Sequence, residues 1–205
     1  MLLIGSVVVV VVVALGFLVP LGSFVVDDRE AAAAADAAAL AAVGVWRDAL
    51  RDVHDGMARA DDDEEFYGPI GRGLGTFLPG HAQSEAARYA ARNGAELIDF
   101  SVDGARGTVT VRVRSQDVVP GVNRRAESTA TAGLRFGGGL CLSGGRLGVL
   151  LGGVCRTGAP TPTPTPTPTP PVDGDEESIE PQPPPPYTIP RGFGAFAVEP
   201  VLTTP

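Results

Sequence analysis

The stretch "AAAAADAAALAA", Ala31 to Ala42, governs how the N-terminal third of the chain folds. Alanine has the highest intrinsic helix propensity, so the stretch predicts an α-helix. It follows an uncharged run from Leu2 to Val26, and only "DDRE" separates the two. We therefore predict one long helix whose first half is apolar and whose second half presents small residues on every face.

The apolar run is long enough to cross a lipid bilayer. At about 1.5 Å per residue, a helix over Leu2 to Val26 exceeds the roughly 30 Å hydrocarbon core, so residues 1–26 are predicted to be a transmembrane helix. A cleaved signal peptide is the alternative, although the start has no basic n-region and the apolar run is long for such a peptide. A cysteine pair and a Thr-Pro stretch downstream favour an extracytoplasmic location for the remainder. We expect a single-pass protein of the bacterial cell membrane, with the lipid bilayer as a partner.

Residues 27–65 are predicted to continue the helix outside the membrane. Trp46, Leu50, Val53 and Met57 follow one another at helical spacings of four, three and four. Alanines allow close backbone approach but bury little apolar area, so we expect this helix to gain stability from neighbouring helices. For the part after Val43, an amphipathic helix lying on its own domain is the alternative. The residues predicted to pack are Ala31, Ala34, Ala35, Ala38, Ala39, Ala42, Trp46, Leu50 and Val53.

Residues 66–158 are predicted to form a small α+β domain. After a solvated acidic loop, "DDDEE", and a glycine-rich loop, a second helix is predicted over Ala82 to Asn93, closed by a glycine C-cap. The segments "ELIDFSV" and "TVTVRVR" predict a hairpin, and 125–136 predicts a third strand. In "TVTVRVR" the valines share one face, which indicates a sheet covered on one side only, by the helices.

Cys141 and Cys155 are the only cysteines. They bracket a glycine-rich hydrophobic loop, and outside the cytoplasm such a pair predicts a disulfide. Two thiols are too few for a structural zinc site, and neither His54 nor His81 belongs to a recognisable cluster. We expect no metal and no other cofactor.

The C-terminal region divides into a linker and a short apolar segment. Residues 159–186 are rich in Pro, Thr and acids, which is typical of a disordered linker that begins as a polyproline II rod. Residues 187–205 regain aromatic and aliphatic side chains, and we expect either a docking segment or an added strand. The candidate O-glycosylation acceptors are Thr161, Thr163, Thr165, Thr167 and Thr169, with an unmodified linker as the alternative.

Charge and composition exclude several function classes. The net charge of −8 argues against nucleic acid as a partner, because phosphate binding needs clustered cations. The chain has no Lys, which removes P-loop and Schiff-base chemistry. There is no nucleophile elbow and no metal-ligand spacing, so we expect no enzymatic activity and infer no small-molecule substrate.

The order of a hydrophobic helix, "ADAAALA" and "NGAELIDFSVDGARGTVTVRVR" resembles the TadE/TadG-like proteins of bacterial Flp (tight adherence) pilus systems, particularly those of actinobacteria. The resemblance covers roughly Leu2 to Phe136. It implies a pilin-like fold and a minor pilin or pseudopilin-type subunit that contacts other pilus or secretion-system subunits through its N-terminal helix. No Glu precedes Glu30, so the anchored, TadG-like version fits better than a polymerising pilin. A stand-alone adhesion or binding module on a Thr-Pro stalk is the alternative.

Overall fold

The computed structural model describes residues 2–118, 124–160 and 186–203, with side chains described from Asp28 onward. The chain is α+β, with a long N-terminal helix and two small antiparallel sheets, which confirms the predicted class. The helices are α1 (Leu2–Met57), α2 (Asp63–Tyr67), a 3-10 helix (Leu74–Phe77) and α3 (Ala82–Arg92). The strands are β1 (Ala95–Asp103), β2 (Thr108–Ser115), β3 (Glu127–Gly138), β4 (Leu140–Ser143), β5 (Arg146–Leu151), β6 (Val154–Arg156) and β7 (Ala197–Leu202).

Helix α1 joins the apolar run and the alanine stretch in one element of 56 residues. The prediction of a single long helix is therefore confirmed. Where side chains are described, no helix combines the length and the apolar character needed to cross a membrane. The predicted span, residues 1–26, lies outside that part of the chain.

The larger sheet has the strand order β1-β2-β3-β7, and every neighbouring pair is antiparallel. Helices α1 and α3 cover one face of it. Val109, Val111 and Val113 on β2 are fully buried there, each stabilising the fold by about 1.5–3 kcal/mol. On the opposite face Thr110 hydrogen-bonds Thr131 across the strands. The prediction of a sheet covered on one side by helices is thus correct.

The alanine face of α1 lies in the core of the chain itself. Helix α3 contributes its own alanines, Ala86 and Ala90, to the same cluster, so the two helices approach closely. The sequence assigned this face to neighbouring helices before Val43 and left its role open after that point. In the structure the parts of this face before and after Val43 are both buried within one chain. Of the residues predicted to pack, Ala31, Ala34, Ala35, Ala38, Ala39, Ala42, Trp46 and Leu50 are buried, and Val53 is partly buried.

The region between the two cysteines is a second sheet, with the order β4-β5-β6. The prediction of a glycine-rich loop is wrong here, because two glycine pairs turn the chain sharply enough to form hairpins. Gly144 and Gly145, and likewise Gly152 and Gly153, all have positive φ, as two-residue hairpin turns require. The predicted disulfide is present: Cys141 on β4 bonds to Cys155 on β6, with the Cα atoms 5.9 Å apart.

The acidic stretch after α1 is more ordered than predicted. Its side chains are exposed, as expected of a solvated segment, but a helical turn, α2, begins at Asp63. Asp62 caps this turn by accepting a hydrogen bond from the Glu65 backbone N–H at 2.7 Å. The Glu65 carboxylate in turn accepts from the Asp61 backbone N–H at 3.0 Å. Acidic side chains at a helix N-terminus complement its unpaired N–H groups, which explains the turn.

Candidate functional site

The C-terminal segment, residues 186–203, returns to the folded part and completes the larger sheet. Strand β7 pairs with β3, where Val198 lies opposite Phe136. Val198 is only 3% exposed. The sequence left open a docking segment or an added strand, and the structure shows a strand. Residues 161–185, which include all five candidate O-glycosylation threonines, lie outside the described residues.

A buried histidine holds the residues that precede β7. His54 is on α1, is 7% exposed, and its Nε2 lies 3.0 Å from the carbonyl oxygen of Gly194. Because a carbonyl only accepts hydrogen bonds, Nε2 carries the proton and donates. The imidazole also stacks on Phe193, with ring centroids 4.6 Å apart, and meets Phe196 edge-on at 5.6 Å. One side chain of α1 therefore makes both the polar and the aromatic contacts to the segment.

Three further groups complete this site. Phe66, which is on α2 and fully buried, meets Phe193 edge to face at 5.2 Å. The Arg51 guanidinium lies 5.0 Å from the ring centre of Phe196, a cation–π contact that helps to cover the ring. Gly139 makes the approach possible, since a Cβ there would lie 2.8 Å from His54 Nε2 and 2.9 Å from the carbonyl oxygen of Ala195.

A second anchor lies at the start of the segment. The Tyr187 hydroxyl donates a hydrogen bond to Asp63 Oδ1 at 3.0 Å. Burial, and then this hydrogen bond to an anionic carboxylate, raise the pKa of Tyr187 to about 12. Burial also raises the pKa of the nearby Tyr67. The acidic stretch thus holds the C-terminal segment through one of its carboxylates.

No family model matches the chain, and no curated protein or solved structure matches it either. The geometry alone therefore has to indicate what the site does. His54, Phe66 and Asp63 bind a peptide segment of the same chain through hydrogen bonds and aromatic contacts, and β3 binds it by strand pairing. Within the described residues, no group of three His, Cys, Asp or Glu side chains is arranged to hold a metal ion.

The side of α1 that faces away from the core forms a shallow groove of about 450 Å³, which we call the α1 groove. Its floor is formed by half-exposed small and aliphatic side chains, because alanine and glycine occupy this side of the helix as well. The groove could not be predicted from the sequence, since alanines on every face give no basis for choosing an outward side. Its lining residues are Ala37, Leu40, Ala41, Gly44, Val45, Arg47, Asp48, Glu85, Tyr89 and Pro200.

The role of His54 was not predicted from the sequence either. The residues around His54 indicate no cluster, because all of its C-terminal partners are about 140 positions away. The one available signal was a histidine placed three residues before Met57 on the apolar side of a helix, which is more often a packed residue than a functional one.

Proposed function

We propose that the protein is a membrane-anchored, non-enzymatic envelope subunit of the TadE/TadG-like type, and that it assembles with pilus-type subunits through α1. The observation that carries the proposal is the architecture of α1. A helix of 56 residues begins with an uncharged run of membrane-spanning length and then lies along a one-sided antiparallel sheet. A single long N-terminal helix packed on such a sheet is the arrangement implied by the pilin resemblance.

The α1 groove supports the assembly part of the proposal. The buried alanines are already used inside the chain, so contacts with other subunits fall to residues 2–26 and to this outward side. Ala37, Ala41 and Gly44 repeat at spacings of four and three, which allows another helix to approach closely. We infer that the alanine stretch Ala31 to Ala42 serves both an internal and an external contact.

The disulfide supports the extracytoplasmic location. Disulfides persist in oxidising compartments, and Cys141 and Cys155 are bonded in the structure. The Thr-Pro repeat from Pro160 to Pro171 fits the same setting, because its sequence is typical of an extended spacer. We propose that the folded part stands outside the membrane and close to it.

The test is fractionation of the native host into sheared surface appendages, membrane and medium, with mass spectrometry of the N-terminus. We expect the intact chain in the membrane or with appendages, and expect it to be lost from that fraction when the pilus machinery is deleted. Ala41→Leu should reduce recovery with partner subunits, whereas Ala58→Leu, an exposed position beyond the end of α1, should not. A chain that stays in the membrane regardless of the machinery would favour a stand-alone binding module.

A further inference from the structure

A second cleft lies where β2 ends and β3 begins. Its volume is about 560 Å³, and we call it the basic cleft because arginines predominate among the described residues that line it. These residues are Arg114, Val118, Arg124, Arg125 and Glu127. Arg114 is paired, with its Nε 2.9 Å from Glu127 Oε1. Arg124 and Arg125 are exposed, and within the described residues no carboxylate lies at ion-pair distance from either guanidinium.

The position of the basic cleft along α1 follows from two contacts. At the start of β3, Ala126 packs against Ala31, and both side chains are buried. Just after the end of β3, Gly139 lies beside His54. Strand β3 therefore runs alongside α1 in the same direction. The cleft lies at the end of the folded part nearest the apolar run, since Ala31 follows Val26 by only about 7.5 Å of helix.

The chemistry of the cleft suits an anionic surface with an apolar layer beneath it. Guanidinium groups bind phosphate oxygens through paired hydrogen bonds. Val118, on the same cleft, is 46% exposed and so presents an apolar side chain beside Arg124 and Arg125. An apolar side chain flanked by arginines is typical of a segment that lies at the interface of a bilayer.

Several carboxylates share this end of the molecule. Asp117 adjoins Val118, and Asp28, Arg29 and Glu30 precede Ala31, which packs against Ala126. All four are exposed, so the local net charge is close to neutral. Long-range attraction to an anionic surface is therefore weak, and binding depends on short-range contact between the guanidinium groups and phosphate. The basic cleft therefore differs from a polybasic patch, which binds mainly through the long-range electrostatic attraction between its many cations and an anionic surface.

We propose that the basic cleft binds the phosphate headgroups of anionic lipids in the membrane that residues 1–26 span. The proposal rests on the proposed membrane anchor and adds a second point of contact, which fixes how the folded part sits on the bilayer. The acidic stretch 173–180 of the chain's own linker is the competing occupant by charge. We favour the lipid because the cleft lies next to the end of the apolar run and exposes Val118.

The test uses the full-length chain reconstituted into vesicles of phosphatidylcholine with or without phosphatidylglycerol. A fluorophore on Gln116→Cys, an exposed residue next to the cleft, reports contact through a quencher carried on lipid headgroups. Resistance to alkaline extraction reports anchoring in the same samples. The variant R124E/R125E removes the cations, and R59E/R106E, at the other end of the folded part, makes the same change in net charge.

We expect anchoring in both lipids and stronger quenching where phosphatidylglycerol is present, because its phosphate is not neutralised by a headgroup cation. A charge-assisted hydrogen bond contributes about tenfold to binding, so replacing both arginines in R124E/R125E should reduce the quenched population by about tenfold or more. R59E/R106E should leave it unchanged. A chain that is released by alkaline extraction yet binds phosphatidylglycerol vesicles through Arg124 and Arg125 would refute the proposed membrane anchor. The proposal that the basic cleft binds anionic lipid would stand.

Three results would overturn the proposal. The first is an anchored chain whose quenching is the same in both lipids. The second is quenching in phosphatidylglycerol vesicles that R124E/R125E leaves unchanged, because the contact would then not depend on the two arginines. The third is contact that appears only after the acids of 173–180 are replaced by amides, since the linker would then occupy the cleft.

Discussion

Gly139 is the residue whose lack of a side chain allows the C-terminal segment to reach α1. Its φ of +70° and its closeness to His54 Nε2 both disfavour any Cβ. We expect Gly139→Ala to lower the free energy of unfolding by about 1–2 kcal/mol for the left-handed backbone and by about 1–3 kcal/mol more for the clash. Urea denaturation of the variant measures the sum of these two costs.

Gly94 is the matched control for this substitution. It has the same φ of +70°, but no atom lies within 4 Å of a Cβ built there. Gly94→Ala should therefore show the backbone cost alone. If the two variants were equally destabilised, the close approach of His54 to Gly139 would not exist in solution.

Tyr187 gives the docking of the C-terminal segment a dependence on pH. Its pKa rises from the ordinary 10.0 to about 12 in the folded chain, so the folded state holds this proton more tightly than the unfolded state does. The stabilisation is complete below pH 10 and is lost as the pH rises through about 12. The difference in stability between the wild type and Tyr187→Phe should shrink over that window. A difference that stays constant would show that the phenol does not donate to Asp63.

The helices and strands that could be predicted from the sequence are those in which apolar residues recur at a regular spacing. Helix α1, helix α3 and the β1–β2 hairpin all follow from regular spacing and glycine turns, and their bounds differ from the structure by only a few residues. The β4–β6 sheet was missed because "LCLSGGRLGVLLGGV" has too many glycines to show alternation. Its two "GG" pairs, each between apolar runs, were the hairpin signal that the composition concealed.

The two sides of α1 should respond differently to added volume. Ala38 is fully buried, and Ala37, one position earlier, lines the α1 groove. We expect Ala38→Leu to cost about 1–3 kcal/mol of stability, because the core has no room for three more carbons. Ala37→Leu should change stability by no more than about 0.5 kcal/mol. Thermal unfolding of the two variants checks this, and equal destabilisation would contradict the assignment of the two sides.

At the scale of the whole molecule, segments far apart in sequence form one core. The main hydrophobic core takes residues from α1 and from both sheets, including β7 of the larger sheet. In the sequence these elements appear as separate units. Spacing within a segment indicates which of its faces is apolar, but not which distant segment covers that face. The contacts of His54 and Val198 are of this kind, so the structure was needed to find them.

We expect the stability of the fold to depend strongly on its C-terminal segment. Removing residues 186–205 would uncover the fully buried Phe66 and the buried edge of β3, and would leave His54 without an acceptor for its Nε2 proton. Burial of Val198 alone is worth about 1.5–3 kcal/mol, so we expect a lower unfolding midpoint and increased binding of a hydrophobic dye. A variant with 161–185 replaced by a Gly-Ser linker of equal length keeps the tether and the segment, and should match the wild type in both measurements. If the truncated chain were as stable as the wild type, the segment would be an appendage and not part of the core.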